Sequence, residues 1–377
     1  MRKKHFLFAS VLALLCSSST LHAQDFKLTS SGYFKNQGVD VMAFDDIYPE
    51  GHQGGVCIIM NGHRVATNGD IRLEATPGQW QPVPKQLDRK LGDNSITATL
   101  CYPDSSRHLT GFNPMIYPDL HLIYTVNVES KGKNIEVTVD LDRPIPQEFI
   151  GKVGFNLEFF PGSLFGKPWI MDGQSGIFPQ QPNSPLMTTQ PNYLHTGNYH
   201  DGKKSLADMD KLIGKGYSPI VADDIISEPY AKGTKFTSRP DDPYNKVTIE
   251  SLSGDLQLFD GRMNHNNGWF VLRSNIKPGV TKGAVKWIIT PNVVADWMYQ
   301  PVIQTSQIGY HPTQDKEAVI EMDIRDNRKE TAQIIRIDAD GEKVVKNVTP
   351  ANWGKFLRYN YLKVNFTDVK EPGLYKI

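Results

Sequence analysis

Hydrolysis by an inverting acid and base needs two carboxyls roughly 6.5–9.5 Å apart, with room for a water between them. The chain holds three adjacent acidic pairs, Asp45-Asp46, Asp223-Asp224 and Asp241-Asp242. Neighbours on an extended chain point to opposite faces, so these dipeptides make poor catalytic pairs and read as turn residues. Asp223-Asp224 or Asp45-Asp46 could instead hold calcium together with backbone carbonyls, the one cofactor the residues leave open. There is no Gly-x-Ser-x-Gly elbow, phosphate-binding glycine loop or His-Glu-x-x-His pair, and the ten histidines are scattered. No residue is therefore assigned a catalytic role. Binding is better served. Sugar rings offer apolar faces that stack on Trp and Tyr beside polar groups. Trp169, Tyr193 and Tyr199, with Asn192, Asn198 and His200, are the candidate carbohydrate-binding residues, and Trp80 is a lesser one. The same rings would serve equally to plug their loop onto the protein body.

These residues must be positioned by strands. Val56 to Met60 alternates into Asn61-Gly62, and Arg64 to Thr67 runs into Asn68-Gly69. Asn-Gly is the strongest short hairpin signal, because both residues accept the positive φ of a type I′ turn. Alternation then recurs at Ser95–Tyr102, Leu122–Val128, Ile135–Leu141, Val153–Phe159, Lys246–Ser251, Asp255–Phe259, Trp269–Ser274 and Ala284–Thr290. Pro161 to His200 is expected to be a long aromatic and proline-rich loop without strands. A brief helix is expected after Ser205, stopped by Gly214. The pattern gives one large antiparallel β-sandwich over residues 24–300.

Bulk properties bound the rest. Arg2, Lys3 and Lys4 precede the apolar run Phe6 to Leu15, and Ala23 offers a small residue at a cleavage site. Residues 1–23 read as a secretory signal too short to span a membrane, and Cys16 leaves lipoprotein processing as a rival. Lys+Arg and Asp+Glu are both 41, so removing three basic residues leaves 38 − 41 = −3. That balance excludes a nucleic-acid partner. The expected location is exported: periplasmic, cell-surface or extracellular, with peripheral envelope association open. Cys57 and Cys101 would remain, either bridged in an oxidising compartment or as two buried thiols. No Cys/His spacing suggests zinc.

Past Asp296-Trp297-Met298-Tyr299-Gln300-Pro301 the strands shorten: Glu317–Asp323, Gln333–Asp338, an Asp340-Gly341 turn into Glu342–Lys346, Tyr361–Phe366 and Leu374–Ile377. This segment, 301–377, reads as a second, smaller sandwich of immunoglobulin-like type. Its opening Gln307-Ile308-Gly309-Tyr310-His311-Pro312 and its closing Phe366 to Ile377, with Pro372-Gly373-Leu374-Tyr375, resemble the immunoglobulin-like module ahead of the catalytic barrel in family 9 glycoside hydrolases, the endoglucanases and their relatives. The segment Val153 to Gly162 resembles the amino-terminal sandwich of some bacterial members.

The resemblance implies an exported, all-β, non-catalytic front of an inverting hydrolase of β-linked glucans, with polysaccharide or oligosaccharide as partner and the catalytic barrel missing from this chain. In the family the base lies in an Asp-rich motif of the barrel. The nearest counterpart, Tyr199-His200-Asp201-Gly202, has Lys204 where a second Asp would stand. Pro301 to Ile377 supplies 77 residues, against roughly 100 for a seven-strand sandwich. The small sandwich is thus expected to be incomplete, lacking at least one closing strand. A stand-alone envelope protein that binds polysaccharide is the alternative. An enzymatic large sandwich would need a clustered acid pair, and the sequence shows none.

Overall fold

The computed structural model describes residues 25–45, 54–74, 77, 84–102, 120–182, 228–263 and 268–377. The signal segment, the helix expected after Ser205, Trp80, Tyr193, Tyr199, Asp46 and Asp223-Asp224 lie outside them.

The chain opens with five antiparallel strands, β1 (Lys27–Leu28), β2 (Phe34–Asn36), β3 (Val39–Ala43), β4 (Val56–Met60) and β5 (His63–Leu73). Four more, β6 (Lys85–Leu91), β7 (Ser95–Cys101), β8 (Ile123–Lys131) and β9 (Asn134–Leu141), form a second meander. The chain then alternates between the two sheets. β10 (Val153–Phe159), β13 (Ala231–Gly233), β16 (Leu256–Asp260) and β17 (Phe270–Asn275) join the first. β11 (Pro168–Met171), β12 (Gln174–Ile177), β14 (Lys235–Ser238), β15 (Val247–Ser251) and β18 (Val285–Pro291) join the second. Among the described residues each sheet has nine strands, in the orders β1-β2-β3-β4-β5-β10-β17-β16-β13 and β12-β11-β14-β15-β18-β9-β8-β7-β6.

Alternation decides which side chains meet between the sheets. Phe155, Leu157 and Phe159 of β10 enter one continuous core with Leu272 of β17 and Trp287 of β18. The Trp287 ring stands edge-on to Phe155 at 5.0 Å, and its indole N–H donates to Ser274 Oγ at 3.0 Å.

Two expectations from turn chemistry part company here. Asn61-Gly62 is a hairpin turn, with φ of 52° and 85°. Asn68-Gly69 is not: β5 runs straight through it as a bulge facing β4 and β10. A Cβ on Gly69 would stand 2.6 Å from Val56 Cβ. The glycine serves close strand approach rather than reversal. The loop expected from Pro161 also carries strands, because β11 and β12 form a hairpin beside β14.

The small sandwich pairs β19 (Val302–Gln304), β20 (Glu317–Asp323), β24 (Tyr359–Asn365) and β23 (Ala351–Phe356) in the order β19-β20-β24-β23. They face β22 (Gly341–Val348), β21 (Ala332–Asp338) and β25 (Leu374–Lys376). Four and three strands make seven in residues 301–377. Val302–Gln304 is too short to show alternation, and Gly354 with a bulge disguises β23. Ala318, Ile320, Leu362, Val364 and Phe366 fill a separate core. The opening motif seals it. The Tyr310 ring meets Phe366 edge-on at 5.1 Å while its hydroxyl donates to the Glu317 carbonyl at 2.7 Å.

Candidate functional site

The two sandwiches meet where the linker Trp297–Tyr299 crosses two hairpin tips of the first sheet. Gly38 and Gly62 occupy those tips at φ of 66° and 85°. A Cβ on Gly38 would stand 2.7 Å from Trp297 Cε3, and one on Gly62 would stand 3.0 Å from Tyr299 Cε2. Glycine therefore supplies both the turn and the seat for a linker ring. The Trp297 carbonyl accepts from Gln37 Nε2 at 2.5 Å and from Arg325 Nη2 at 2.6 Å. One group from each sandwich thus grips the same peptide.

Asp323 anchors the other side of the linker. Its Oδ2 accepts from the Tyr299 backbone N–H at 3.0 Å, and Arg325 donates to both of its oxygens at 2.8 and 2.9 Å. Burial works to raise this carboxyl, but the hydrogen bonds from Arg325 and Tyr299 outweigh it and hold the pKa at about 2. Across the junction Arg358 Nη1 donates to Asp40 Oδ2 at 2.5 Å. Burial pushes the Asp40 carboxyl up, against the opposing charges of Arg358 and Lys35.

Between these contacts lies a cavity of about 420 Å³. That is within the ~300–1,000 Å³ span of small-ligand sites, which favour domain interfaces. Trp297, Tyr299 and Tyr359 form its aromatic wall, and Asp40, Asp323, Lys35, Asn36, Arg325 and Arg358 are among its polar lining. The rings continue outward as a ladder. Tyr299 to Tyr359 is 5.1 Å, Tyr359 to Tyr361 is 6.0 Å, and Tyr361 to Trp353 is 5.7 Å between centroids. The hydroxyls of Tyr299 and Tyr361 both donate to the Glu321 carboxylate, at 2.9 and 3.1 Å. Burial, followed by the hydrogen bond to Glu321, pushes the Tyr299 hydroxyl up to about 12. The ladder ends at exposed Trp353 and Phe356, which line a second hollow with Val319 and Lys363. Two of the three carboxylates that line the cavity, Asp40 and Asp323, are engaged by arginine, with Asp25 the third, an arrangement suited to binding rather than proton transfer.

A second cluster lies on the first sheet, around β5, β10 and β17. The register sets Arg72 beside Gly154, Asp70 beside Asn156, and Asn156 beside Arg273. Arg273 lies across β10: a Cβ on Gly154 would stand 2.8 Å from its Nε. Its Nη1 reaches Asn156 Oδ1 at 3.1 Å and Glu74 Oε1 at 3.4 Å, and Nη2 donates to the Glu74 carbonyl at 2.9 Å. Asn156 Nδ2 donates to Glu74 Oε1 at 2.7 Å, Asn68 Nδ2 to Glu158, and Tyr124 Oη to Asp70 Oδ1 at 2.9 Å. Glu74, Asn156 and Arg273 are no more than 2% exposed. Burial, opposed by Arg273 and Arg72, raises Glu74 to about 7. Burial, opposed by Arg72, raises Asp70 to about 6. Burial lowers Arg72, but the charges of Glu158, Asp70 and Glu74 outweigh it and leave its pKa raised.

The large sandwich thus gathers the acids that the sequence appeared to lack. They lie on separate strands, and only the sheet register unites them. The bulge at Asn68-Gly69 lets both Asp70 and Asn68 face β10, as bulges beside polar sites commonly do.

The candidates singled out from sequence fare differently. Trp169 is a correction: it lies in the large core at 7% exposure, where its indole would meet a Cβ on Gly176 at 2.4 Å. Its strand alternation turns it inward, so it offers no open stacking face. Cys57 on β4 and Cys101 on β7 sit in opposite sheets as thiols, the first buried and the second half-buried, the second of the two alternatives left open by the sequence. Asp242 is a turn residue held by Arg239, the Tyr244 N–H and Asn245. No cluster of three or more metal-ligating side chains occurs among the described residues.

With this geometry in place, the chain can be compared with known proteins. Residues 298–377 match the cellulase N-terminal ig-like domain. The matched segment begins inside the linker and takes in β19 to β25, so the carboxyl-terminal part of the chain is similar to a cellulase N-terminal ig-like domain. No curated protein matches the chain. Among solved structures, Slr1438 of Synechocystis sp. PCC 6803 aligns at 10% identity and a TM-score of 0.31, covering 77% of this chain and all of that one. The heparan sulfate lyase HepC of Pedobacter heparinus aligns at 11% identity and a TM-score of 0.26, covering 87% of this chain. The chain spans 42% of the length of HepC. HI1317 aligns at 8% identity and a TM-score of 0.26, covering 71% of this chain and 99% of that one. At these scores none of the three bears on activity.

Proposed function

We propose that this chain is the exported, non-catalytic amino-terminal region of a family 9 glycoside hydrolase that degrades a β-linked glucan. The observation that carries the reading is the match of residues 298–377 to a cellulase N-terminal domain. A domain of that description stands ahead of the catalytic module, so an acid and a base are expected on its carboxyl-terminal side. The junction gives the front part a mechanical role. Two glycine tips, the shared Trp297 carbonyl and the Arg358–Asp40 pair join the sandwiches into one unit. Such a unit presents the aromatic face of the small sandwich in a fixed orientation.

The test is the reading frame beyond the Ile377 codon, followed by assay of the encoded protein. A barrel with an Asp-rich motif and a later Glu, releasing inverted sugar from a β-glucan, supports the proposal. An unrelated continuation, or a frame that stops at once, overturns it. The last outcome leaves glycan binding by an envelope protein as the function to pursue.

A further inference from the structure

We propose that the junction cavity and the ring ladder leading from it form a binding site for a neutral, β-linked oligosaccharide chain. The choice of β-linked glucan rests on the hydrolase reading above; the fit to a neutral saccharide rests on the lining itself. A saccharide site needs ring faces to meet C–H surfaces and nearby donors and acceptors for hydroxyls. Trp297 and Tyr359 supply half-exposed rings, while Arg358, Asp40, Lys35 and Asn36 supply polar groups within the same cavity.

The charges argue for a neutral occupant. Arg358 is paired with Asp40 and Arg325 with Asp323, and the rest of the lining sets Lys27 and Lys35 against Asp25, so neither sign dominates. An anionic ligand would meet Asp25, Asp40 and Asp323, and a metal ion would meet Lys27, Lys35 and the two guanidinium groups. A polyhydroxylated ligand can accept from the arginines and donate to the carboxylates without breaking either pair.

The ladder argues for a chain rather than a single sugar. From Tyr359 the rings step through Tyr361 to Trp353, which is 56% exposed. Strand alternation fixes this row. Leu362 and Val364 of β24 turn into the small core, so Tyr359, Tyr361 and Lys363 share the outer face. The ring contacts hold one another in place, which lowers the ordering cost of binding.

The experiment uses this chain and isothermal titration with cellohexaose, cellobiose and maltohexaose. Cellohexaose is expected to bind more tightly than cellobiose, with maltohexaose weaker. Tyr359→Ala is expected to weaken cellohexaose by about five- to tenfold, the loss of one ring contact. Trp353→Ala should remove the gain with chain length and leave cellobiose unchanged. Because Trp353 is exposed, that variant keeps its fold, which the circular dichroism spectrum checks. Absence of cellohexaose binding at millimolar concentration overturns the proposal, and so does unchanged binding in the Tyr359→Ala/Trp353→Ala double variant. Equal binding of maltohexaose overturns the assignment to β-linked chains. Binding here with no hydrolase encoded downstream keeps this inference and sinks the functional reading. Hydrolysis by the longer protein with no binding here does the reverse.

Discussion

The charge network on the first sheet and the charged junction beside Trp297 use the same residue types to different ends. In the network, Glu74 and Arg273 are both almost wholly withdrawn from water. Polar groups there depend on protein partners, because an orphan such as Arg72 Nε bears its full desolvation penalty. At the junction, the Arg358 side chain remains 42% exposed while its partner Asp40 is 12% exposed. Water can satisfy what the protein does not, so the pair is weak and its members stay available to a ligand. Burial therefore separates a cluster that holds the fold from one that can exchange partners.

The largest expected effect comes from breaking the network. Arg273→Leu would leave Glu74 and Asn156 buried without their guanidinium, at a cost of about 3–5 kcal/mol. Thermal and denaturant unfolding of the variant would measure it. A loss below about 1 kcal/mol would show that the network is not the stabilising unit described here.

Gly154→Ala comes next. Its Cβ would stand 2.8 Å from both Arg273 Nε and the Ser274 carbonyl oxygen, so overpacking should cost about 1–3 kcal/mol in the same assay.

The two regions should also titrate in opposite directions. Burial raises Asp70 from 3.8 to about 6 and Glu74 from 4.5 to about 7. Both groups hold a proton more tightly folded than unfolded. Their stabilisation is whole below about pH 4 and is lost as pH rises through 6 and 7. Asp323 is lowered from 3.8 to about 2. Its contribution is present above about pH 4 and lost as pH falls toward 2. The melting temperature should therefore fall on both sides of about pH 4–5. Glu74→Gln should flatten the neutral side, and Asp323→Asn the acid side. A profile unchanged by either substitution would refute the assignment.

The smallest expected effect is that of Arg358→Ala, at about 0–1 kcal/mol. It should leave both sandwiches folded while speeding protease cleavage in the linker near Trp297. If cleavage does not change, the remaining contacts at Trp297 and Tyr299 hold the junction alone.

Much of the fold was legible because strands write their burial into alternation. Val153–Phe159 and Glu317–Asp323 match the observed strands residue for residue. Strands such as β19 and β23 escaped because three residues, or a bulged Asn-Trp-Gly run, carry no clean period. The candidate site was less legible. Trp169 looked available in a proline-rich stretch, yet its pairing turned it into the core. Tyr359 and Tyr361 carried a usable signal: they alternate with Asn360 and Leu362, so placing Leu362 inside puts both rings outside.

The sequence by itself determined the all-β class, the hairpin at Asn61-Gly62 and the resemblance of the small sandwich to a cellulase N-terminal domain. Each is written in neighbouring residues, where period, turn geometry and motif act over a few peptides. Only the tertiary structure decided the buried network and the junction cluster. Glu74 and Arg273 are 199 residues apart and Asp40 and Arg358 are 318 apart, and they meet only through sheet register and domain docking. Contacts of that span depend on which faces pack together, a choice made by the summed burial of the whole chain rather than by any local pattern.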